Sequence, residues 1–246
     1  MTSPLRIDTR DDRVVATLDR PERRNAIDLA TVDALHALCA ELENRPRILI
    51  LTGAGGDFAA GADIDQLRER GADDARRGIN ASAFLRIADL PMPVIAALDG
   101  YALGGGAELA YAADIRITTP SLRIGNPETG LGILAAAGAT WRLPEIVGRA
   151  RAADLLLTGR SLTADDALAW GLVSAIHPTE QLLPAAHAIA DRIAANDPLA
   201  TQYTKRALAA PRSEHPHIDG ELQAELFERP EKRRRMTAFL ERRARA

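Results

Sequence analysis

The order of apolar and polar positions predicts alternating strands and helices over roughly the first 180 residues. Weak alternation over Arg6–Leu18 predicts a β-hairpin, and apolar residues at helical spacing after Asp28 predict a helix of about four turns. Apolar runs at Arg47–Thr52 and Val94–Leu98 predict short buried strands. Further strands are predicted at Asp114–Thr118, Leu122–Ile124 and Leu172–Ile176.

The pattern changes after Gln181, where only helical periodicity remains. Pro198, Pro211 and Pro230 start or separate three predicted helices. Strands alternating with helices, followed by helices alone, are typical of an α/β core with a helical C-terminal extension. We therefore predict a core over residues 1–190 and a helical region over residues 191–246. Apolar positions on this region predict packing against its own core or another subunit.

Composition narrows the classes of protein that fit. The chain has 246 residues, 46% of them hydrophobic and 26% charged, which is typical of a globular protein. Apolar runs stay well short of the ~20 residues of a membrane span, and the first residues do not resemble a signal peptide. The single cysteine, Cys39, excludes an intramolecular disulfide framework and fits a reducing compartment. We expect a cytoplasmic protein that does not bind membranes.

Charge is spread unevenly along the chain. The formal net charge is −3, yet residues 229–246 hold eight Arg or Lys and only two acidic residues, Glu231 and Glu241. A basic end of this kind binds nucleic acid or other phosphates, or forms the solvated face of a terminal helix, which is the commoner case.

The stretch Leu98–Leu109 carries the clearest chemical signal. An apolar run leads into three consecutive glycines, Gly104–Gly106, and a helix-compatible segment begins directly behind them with Glu108 in its first turn. Glycines let a ligand approach main-chain N–H groups, and a helix N-terminus adds further polarised N–H groups. Such a turn suits binding of a developing oxyanion beside a carboxylate that moves a proton. The simpler alternative is a tight turn with a surface glutamate.

Other candidate motifs lack residues that their chemistry requires. The glycines of Gly53–Phe58 lack the third glycine of a dinucleotide fingerprint, and Gly56–Gly61 is followed by Ala-Asp where a P-loop needs Lys-Ser/Thr. The pair His215 and His217 lacks a third metal ligand nearby, so we predict no metal site. What remains beside Glu108 is Glu128, in Asn-Pro-Glu within an apolar loop. Two carboxylates in partly apolar surroundings are the usual means of separating acid and base roles.

Several motifs together resemble the enoyl-CoA hydratase (crotonase) family. They are Arg20–Ala26, Phe58–Ile64, Val94–Leu109, Asn126–Glu128, Leu157–Val173 and Phe239–Arg243, and they follow in family order over essentially the whole chain. The resemblance implies a crotonase-type α/β spiral of repeated ββα units with a C-terminal helical oligomerisation region. It also implies an acyl-CoA substrate.

The resemblance also implies which residues take part in catalysis and what each one does. In this family two backbone N–H groups hold the thioester oxygen, and the matching positions are Ala62 and Gly105. Hydratases of the family use two glutamates that hold a water between them, matched here by Glu108 and Glu128. Glu108 would activate the water for attack at C3, and Glu128 would move the proton at C2. The implied reaction is reversible syn hydration of a trans-2-enoyl-CoA to a 3-hydroxyacyl-CoA.

The resemblance also implies contacts to CoA and between subunits. A first CoA segment contains Arg24 and Ala26, and a second contains Ala60, Asp63 and Ile64. The family presents a basic residue at the position of Lys205, and a neighbouring subunit's C-terminal helix supplies the positions of Phe239 and Arg242. We therefore expect a homotrimer or a dimer of trimers. CoA arrives as part of the substrate, so no separate cofactor is expected.

One segment departs from the family pattern, and other activities stay open. A Pro-Gly-Ala-Gly-Gly-like loop usually follows the second glutamate, whereas this chain has Ala135–Ala139, reading Ala-Ala-Ala-Gly-Ala. How this loop positions its N–H groups is therefore open. Two alternatives remain. One is an enoyl-CoA isomerase or another acyl-CoA lyase or hydrolase on the same scaffold. The other is a protein whose basic C-terminus binds RNA.

Overall fold

The computed structural model describes residues 3–244. The strands are β1 Leu5–Thr9, β2 Arg13–Leu18, β3 Ile48–Gly53, β4 Val94–Leu98, β5 Tyr101–Leu103, β6 Ile115–Thr118, β7 Arg123–Gly125 and β8 Ser161–Thr163. The helices are α1 Leu29–Asn44, α2 Ile64–Glu69, α3 Ala72–Arg77, α4 Ile79–Ala88, α5 Gly105–Tyr111, α6 Ala139–Val147, α7 Arg149–Thr158, α8 Ala164–Ala169, α9 Thr179–Ala194, α10 Pro198–Ala209, α11 His217–Glu228 and α12 Pro230–Ala244. Short 3-10 helices lie at Pro21–Arg23, Pro127–Leu131 and Arg212–Glu214.

The larger sheet has five strands in the order β1-β2-β3-β4-β6. β1 and β2 form the predicted antiparallel hairpin, and the remaining neighbours pair in parallel. Every residue of β2 and β4 is buried, as expected for parallel strands that are covered on both faces. The apolar runs of the sequence thus form the centre of the core.

A second sheet of three strands, β5-β7-β8, carries the chemically important turns. β5 pairs with β7 in parallel, and β7 pairs with β8 in antiparallel orientation. The glycine-rich turn follows β5, and Asn126 follows β7. Because parallel strands end at the same edge of a sheet, the turn and the Asn-Pro-Glu segment emerge side by side.

Local capping explains where the helices begin. The carboxylate of Asp28 accepts a hydrogen bond of 2.8 Å from the N–H of Thr31 and starts α1, which contacts α4. Thr163 and Asp166 form a capping box at the start of α8. α5 is buried along its whole length, so Glu108 is carried into the interior by its helix.

Two parts of the predicted secondary structure need correction. The strand expected at Leu172–Ile176 is a series of turns, because the N–H groups of Leu172 and Val173 donate to the carbonyl of Ala167 at the end of α8. Only Ile176 forms a bridge, with Thr118. The stretch after Gly125 lacks clear periodicity but forms α6, which has Pro144 in its interior.

The described chain divides into two compact units, with the boundary between Ala190 and Asp191. The second unit contains the three helices α10, α11 and α12, as the prolines predicted. Leu222 is buried in it, whereas five other large apolar side chains are exposed: Leu208, Phe227, Met236, Phe239 and Leu240. Within residues 3–244 none of the helices has the length and apolar character to cross a bilayer.

Candidate active site

Two turns come together at the edge of the smaller sheet. The segment ending at Ala62 runs parallel to β5, with the N–H of Leu103 donating to the carbonyl of Ala59 at 3.0 Å. Ala62 itself forms a parallel bridge with Ile27. This pairing brings the turn at Ala62 next to Gly105, the first residue of α5: a Cβ on Gly105 would lie 3.4 Å from the nitrogen of Ala62.

At two of the three glycines, a side chain would come too close to a neighbouring atom. Gly104 has φ +49°, and a Cβ there would lie 2.9 Å from Oε1 of Glu128. A Cβ on Gly106 would lie 2.1 Å from the carbonyl oxygen of Ala59, which belongs to the neighbouring turn. Any side chain at these positions would therefore separate the two turns or displace Glu128.

The N–H groups of Ala62 and Gly105 are available to a ligand. Within residues 3–244 neither group donates to a backbone or side-chain acceptor. For Gly105 the reason is its place at the start of α5, where no preceding turn of helix supplies a carbonyl. Both residues line one cavity, so two backbone donors without a protein acceptor border the same space. This is the arrangement expected of an oxyanion hole.

Glu108 is held by the loop that departs from the family pattern. Its Oε1 accepts hydrogen bonds from the N–H groups of Ala137 at 2.7 Å and Ala139 at 3.2 Å. The side chain is only 3% exposed. Burial raises the pKa of Glu108 to about 7, with a smaller contribution from the charge of Glu128, although the backbone donors oppose the shift. The group can therefore exchange a proton near neutral pH.

Glu128 is the second buried carboxyl group of the site. Nδ2 of Asn126 donates to its Oε1 at 3.5 Å, whereas its buried Oε2 lacks a partner among the described residues. The hydroxyl of Tyr111 donates to Oδ1 of Asn126 at 3.0 Å, which directs the amide nitrogen of Asn126 toward Glu128. Burial raises the pKa of Glu128 as well. An unpartnered buried oxygen of this kind requires a ligand atom or a proton.

The cavity that joins these groups has a volume of about 440 Å³. Ala62, Gly105, Glu108 and Glu128 all line it, so the structure brings together the four residues predicted to be catalytic. Its remaining wall comes mainly from α3, the start of α4 and the segment 133–137. Among residues 3–244, no three His, Cys, Asp or Glu side chains gather in a way that suits a metal ion.

The predicted CoA segments of the first unit are adjacent. The N–H of Ala60 donates to the carbonyl of Arg24 at 2.9 Å, and the guanidinium of Arg24 lies 5.4 Å from the ring centre of Tyr101. Ala26 lies in the same loop, and Ile64 is 59% exposed at the start of α2. The carboxylate of Asp63 caps α2 and lies 3.5 Å from Arg20, so its charge serves the fold.

The other three predicted CoA residues belong to the second unit. Lys205 lies in α10, and Phe239 and Arg242 lie in α12. Phe239 is 58% exposed and Arg242 is exposed. Most side chains of α12 are exposed, so they are accessible to a ligand or another chain.

Some residues of the site were missed by sequence reasoning. Tyr111 and Asn126 orient Glu128, and Arg70 and Asn80 line the cavity. Tyr111 stands three positions after Glu108 on the same helix, a spacing that places both on one face and was a usable signal. Arg70 and Asn80 gave no signal, because their approach depends on how α2, α3 and α4 fold over the cavity.

Comparison with known proteins shows close relatives over nearly the full length. The family model described as enoyl-CoA hydratase/isomerase matches residues 11–246. The chain is 39% identical over 240 residues to the short-chain-enoyl-CoA hydratase of Clostridium acetobutylicum, covering 93% of this chain and 91% of that one. It is 37% identical over 240 residues to the crotonyl-CoA hydratase of Syntrophomonas wolfei, covering 93% and 92%. The crystal structure of an enoyl-CoA hydratase from Bacillus anthracis superposes with a TM-score of 0.92, at 32% identity, and 97% of this chain and 96% of that chain are covered.

Proposed function

Because the chain belongs to the enoyl-CoA hydratase/isomerase family, we propose that it catalyses the reversible syn addition of water to a trans-2-enoyl-CoA. The product is a 3-hydroxyacyl-CoA, an intermediate of fatty-acid or related acyl-CoA catabolism. One observation carries the proposal: two buried glutamates, Glu108 and Glu128, line the same cavity as the open N–H groups of Ala62 and Gly105.

The two N–H groups stabilise negative charge on the thioester oxygen. When water attacks C3, electrons of the double bond move toward the thioester, and its oxygen becomes enolate-like. The donors of Ala62 and Gly105 are fixed in place before the reaction, so they favour this state over the neutral substrate. A donor of this type contributes roughly 3 to 4 kcal/mol to the transition state.

The glutamates divide the acid and base roles. The ionised carboxylate of Glu108 takes a proton from the water as the water oxygen bonds to C3. Protonated Glu128 gives its proton to C2, and the charge on the thioester oxygen collapses back. A proton returned from Glu108 to Glu128 through the next water restores the starting state. Because one water lies between both carboxyl groups, the proton and the hydroxyl add to the same face.

Both carboxyl groups have a raised pKa, which suits groups that exchange protons with a substrate. Burial raises the pKa of Glu108 to about 7, so an ionised fraction is present at neutral pH. Burial also raises the pKa of Glu128, which favours its protonated form. Two neighbouring carboxyl groups resist being ionised together, so one proton shared by the pair is the stable arrangement.

CoA binding uses both loops of the first unit. We propose that the backbone around Ala60–Ile64, together with Arg24 and Ala26, holds the nucleotide and the start of the pantetheine. Asp63 contributes through its main chain, because its carboxylate already caps α2. The enzyme needs no resident metal or redox cofactor in this mechanism, since CoA arrives with the substrate.

The second unit acts in a cytoplasmic homotrimer or dimer of trimers. Met236, Phe239 and Leu240 are each more than half exposed and lie at helical spacing on α12, forming an apolar strip that another subunit would cover. We propose that Phe239 and Arg242 contact the CoA of a neighbouring subunit and that Lys205 presents its charge toward the CoA nucleotide. Part of the basic charge of the C-terminus would then bind CoA phosphates, with neither nucleic acid nor membrane as a partner.

The test is a direct assay with crotonyl-CoA, following loss of the absorbance of the conjugated enoyl-thioester. Purified protein is expected to hydrate it, and Glu108→Gln and Glu128→Gln are each expected to lower kcat by about 10²- to 10⁴-fold. The exposed Glu180→Gln serves as the matched control and is expected to keep full activity. Robust hydration by either active-site variant would reject the two-glutamate mechanism. An isomerase would instead convert a 3-enoyl-CoA and keep that activity in Glu108→Gln.

A further inference from the structure

We propose that Arg70 makes this enzyme select 2-enoyl-CoA thioesters whose short acyl chain ends in a carboxylate. The inference rests on the proposed function and names the substrate class of the same site. Arg70 is the residue that ends α2, and it lines the cavity that contains Glu108 and Glu128.

The guanidinium of Arg70 has an open edge. Its Nη1 donates to Oδ1 of Asn80 at 3.1 Å. Its Nη2 is buried and lacks an acceptor, and among residues 3–244 its Nε also lacks one. Nε and Nη2 point to the same side of the planar group, where two parallel N–H donors match the two oxygens of a carboxylate. A buried donor without an acceptor is costly, so a ligand that supplies one gains affinity.

The charge of Asp74 interacts with that of Arg70, but the Asp74 carboxylate does not hydrogen-bond to this edge. Asp74 also lines the cavity, but its Oδ2 accepts from the N–H of Gly71 at 2.9 Å and its Oδ1 accepts from Arg77. No ion pair joins Arg70 to a carboxylate within the described part of the chain. Much of the surrounding wall is apolar: Leu67, Ala75, Ile79, Ala81, Ile133 and Leu134. A single cation on an apolar wall discriminates strongly between a charged and a neutral chain end.

The position of Asn80 indicates which part of the substrate Arg70 meets. A Cβ on Gly105 would lie 3.5 Å from Nδ2 of Asn80, so the Asn80 amide stands between the oxyanion hole and Arg70. Because arginine only donates, the atom that faces it must be Oδ1, and Nδ2 faces Gly105. Arg70 is therefore one side chain away from Gly105 in the same cavity, a separation that the far end of a short acyl chain bound at the oxyanion hole could span.

The test compares glutaconyl-CoA with pent-2-enoyl-CoA, which differ in the terminal carboxylate. Wild-type protein is expected to show the higher kcat/KM with glutaconyl-CoA. In Arg70→Gln the ratio of the two kcat/KM values is expected to fall by about 10- to 100-fold, since glutamine keeps a polar side chain but lacks the charge. Arg68→Gln is the matched control, because this exposed arginine of α2 pairs with Glu69 and does not line the cavity.

Two results would overturn the proposal. One is a wild-type preference for pent-2-enoyl-CoA. The other is an equal loss with both substrates in Arg70→Gln, which would mean that Arg70 acts only by holding Asn80. Calorimetric binding of the saturated pair glutaryl-CoA and pentanoyl-CoA separates this from the hydratase proposal, since neither is hydrated. Tighter binding of glutaryl-CoA that depends on Arg70 would support the selectivity even if no enoyl-CoA were hydrated.

Discussion

The main-chain N–H of Ala137 donates a hydrogen bond of 2.7 Å to Oε1 of Glu108, which stands 29 positions earlier in the chain. Ala139 adds a second bond to the same oxygen. The loop with alanines at positions usually held by proline and glycine thus still aims main-chain donors at the carboxylate of Glu108. Its backbone uses Gly138, at φ +145°, for the bend between them.

The first prediction concerns the dependence of rate on pH. Glu108 accepts a proton in the proposed mechanism, so kcat/KM is expected to rise with pH and level off above its pKa of about 7. The rate falls again when Glu128 loses the proton that it donates. A profile measured with crotonyl-CoA that stays flat between about pH 5 and pH 8 would contradict this assignment.

The second prediction concerns stability, which is expected to fall as pH rises, whereas the rate is expected to increase. Between the ordinary pKa of 4.5 and the raised pKa of about 7, folded Glu108 binds more protons than the unfolded chain does. Its contribution is therefore present at low pH and is lost as pH rises through about 7, by on the order of 3 kcal/mol. We expect Glu108→Gln to gain stability relative to wild type between pH 4 and pH 8. Urea unfolding measures the difference, and the exposed Glu180→Gln, which should follow wild type at both pH values, is the control.

A third prediction tests the orientation of Glu128. Tyr111→Phe removes the hydroxyl that donates to Asn126 at 3.0 Å and leaves a buried amide oxygen unpaired. Stability should fall by about 1 to 3 kcal/mol. The turnover number should fall as well, because Asn126 no longer directs Glu128. Tyr203→Phe provides the comparison, since its hydroxyl bonds to Glu225 in the second unit. Equal kcat values for the two variants would show that Tyr111 serves folding alone.

A fourth prediction separates the effect of backbone strain at a glycine from the effect of displacing Glu128. Gly104→Ala places a methyl group 2.9 Å from Oε1 of Glu128 at a residue with φ +49°. Gly148 has a similarly positive φ of +82°, but a methyl group there meets open space. Both glycines adopt backbone conformations that side chains disfavour, so both substitutions should cost about 1 to 3 kcal/mol of stability through strain. Only Gly104→Ala should also abolish hydration, and an active Gly104→Ala protein would show that Glu128 tolerates the shift.

Local patterns were enough to predict most of the fold. The hairpin, the helix after Asp28 and the strand at Val94–Leu98 follow from periodicity and capping, which act between residues close in sequence. The strand predicted at Leu172–Ile176 was wrong, because an apolar run of five residues does not reveal that the N–H groups of Leu172 and Val173 bond to the end of the preceding helix. Helix α6 was not predicted because Pro144 lies in its interior, where proline is normally unfavourable.

The sequence by itself determined the glycine turn, the two glutamates and the α/β order, since each depends on residue type at short range. Tertiary structure alone decided that Ala62 meets Gly105, that Ala137 holds Glu108, and that Arg70 lines the same cavity. These contacts join segments that are far apart in the chain. They exist only once the strands have paired and the helices have covered the cavity, and burial then sets the pKa of each carboxyl group.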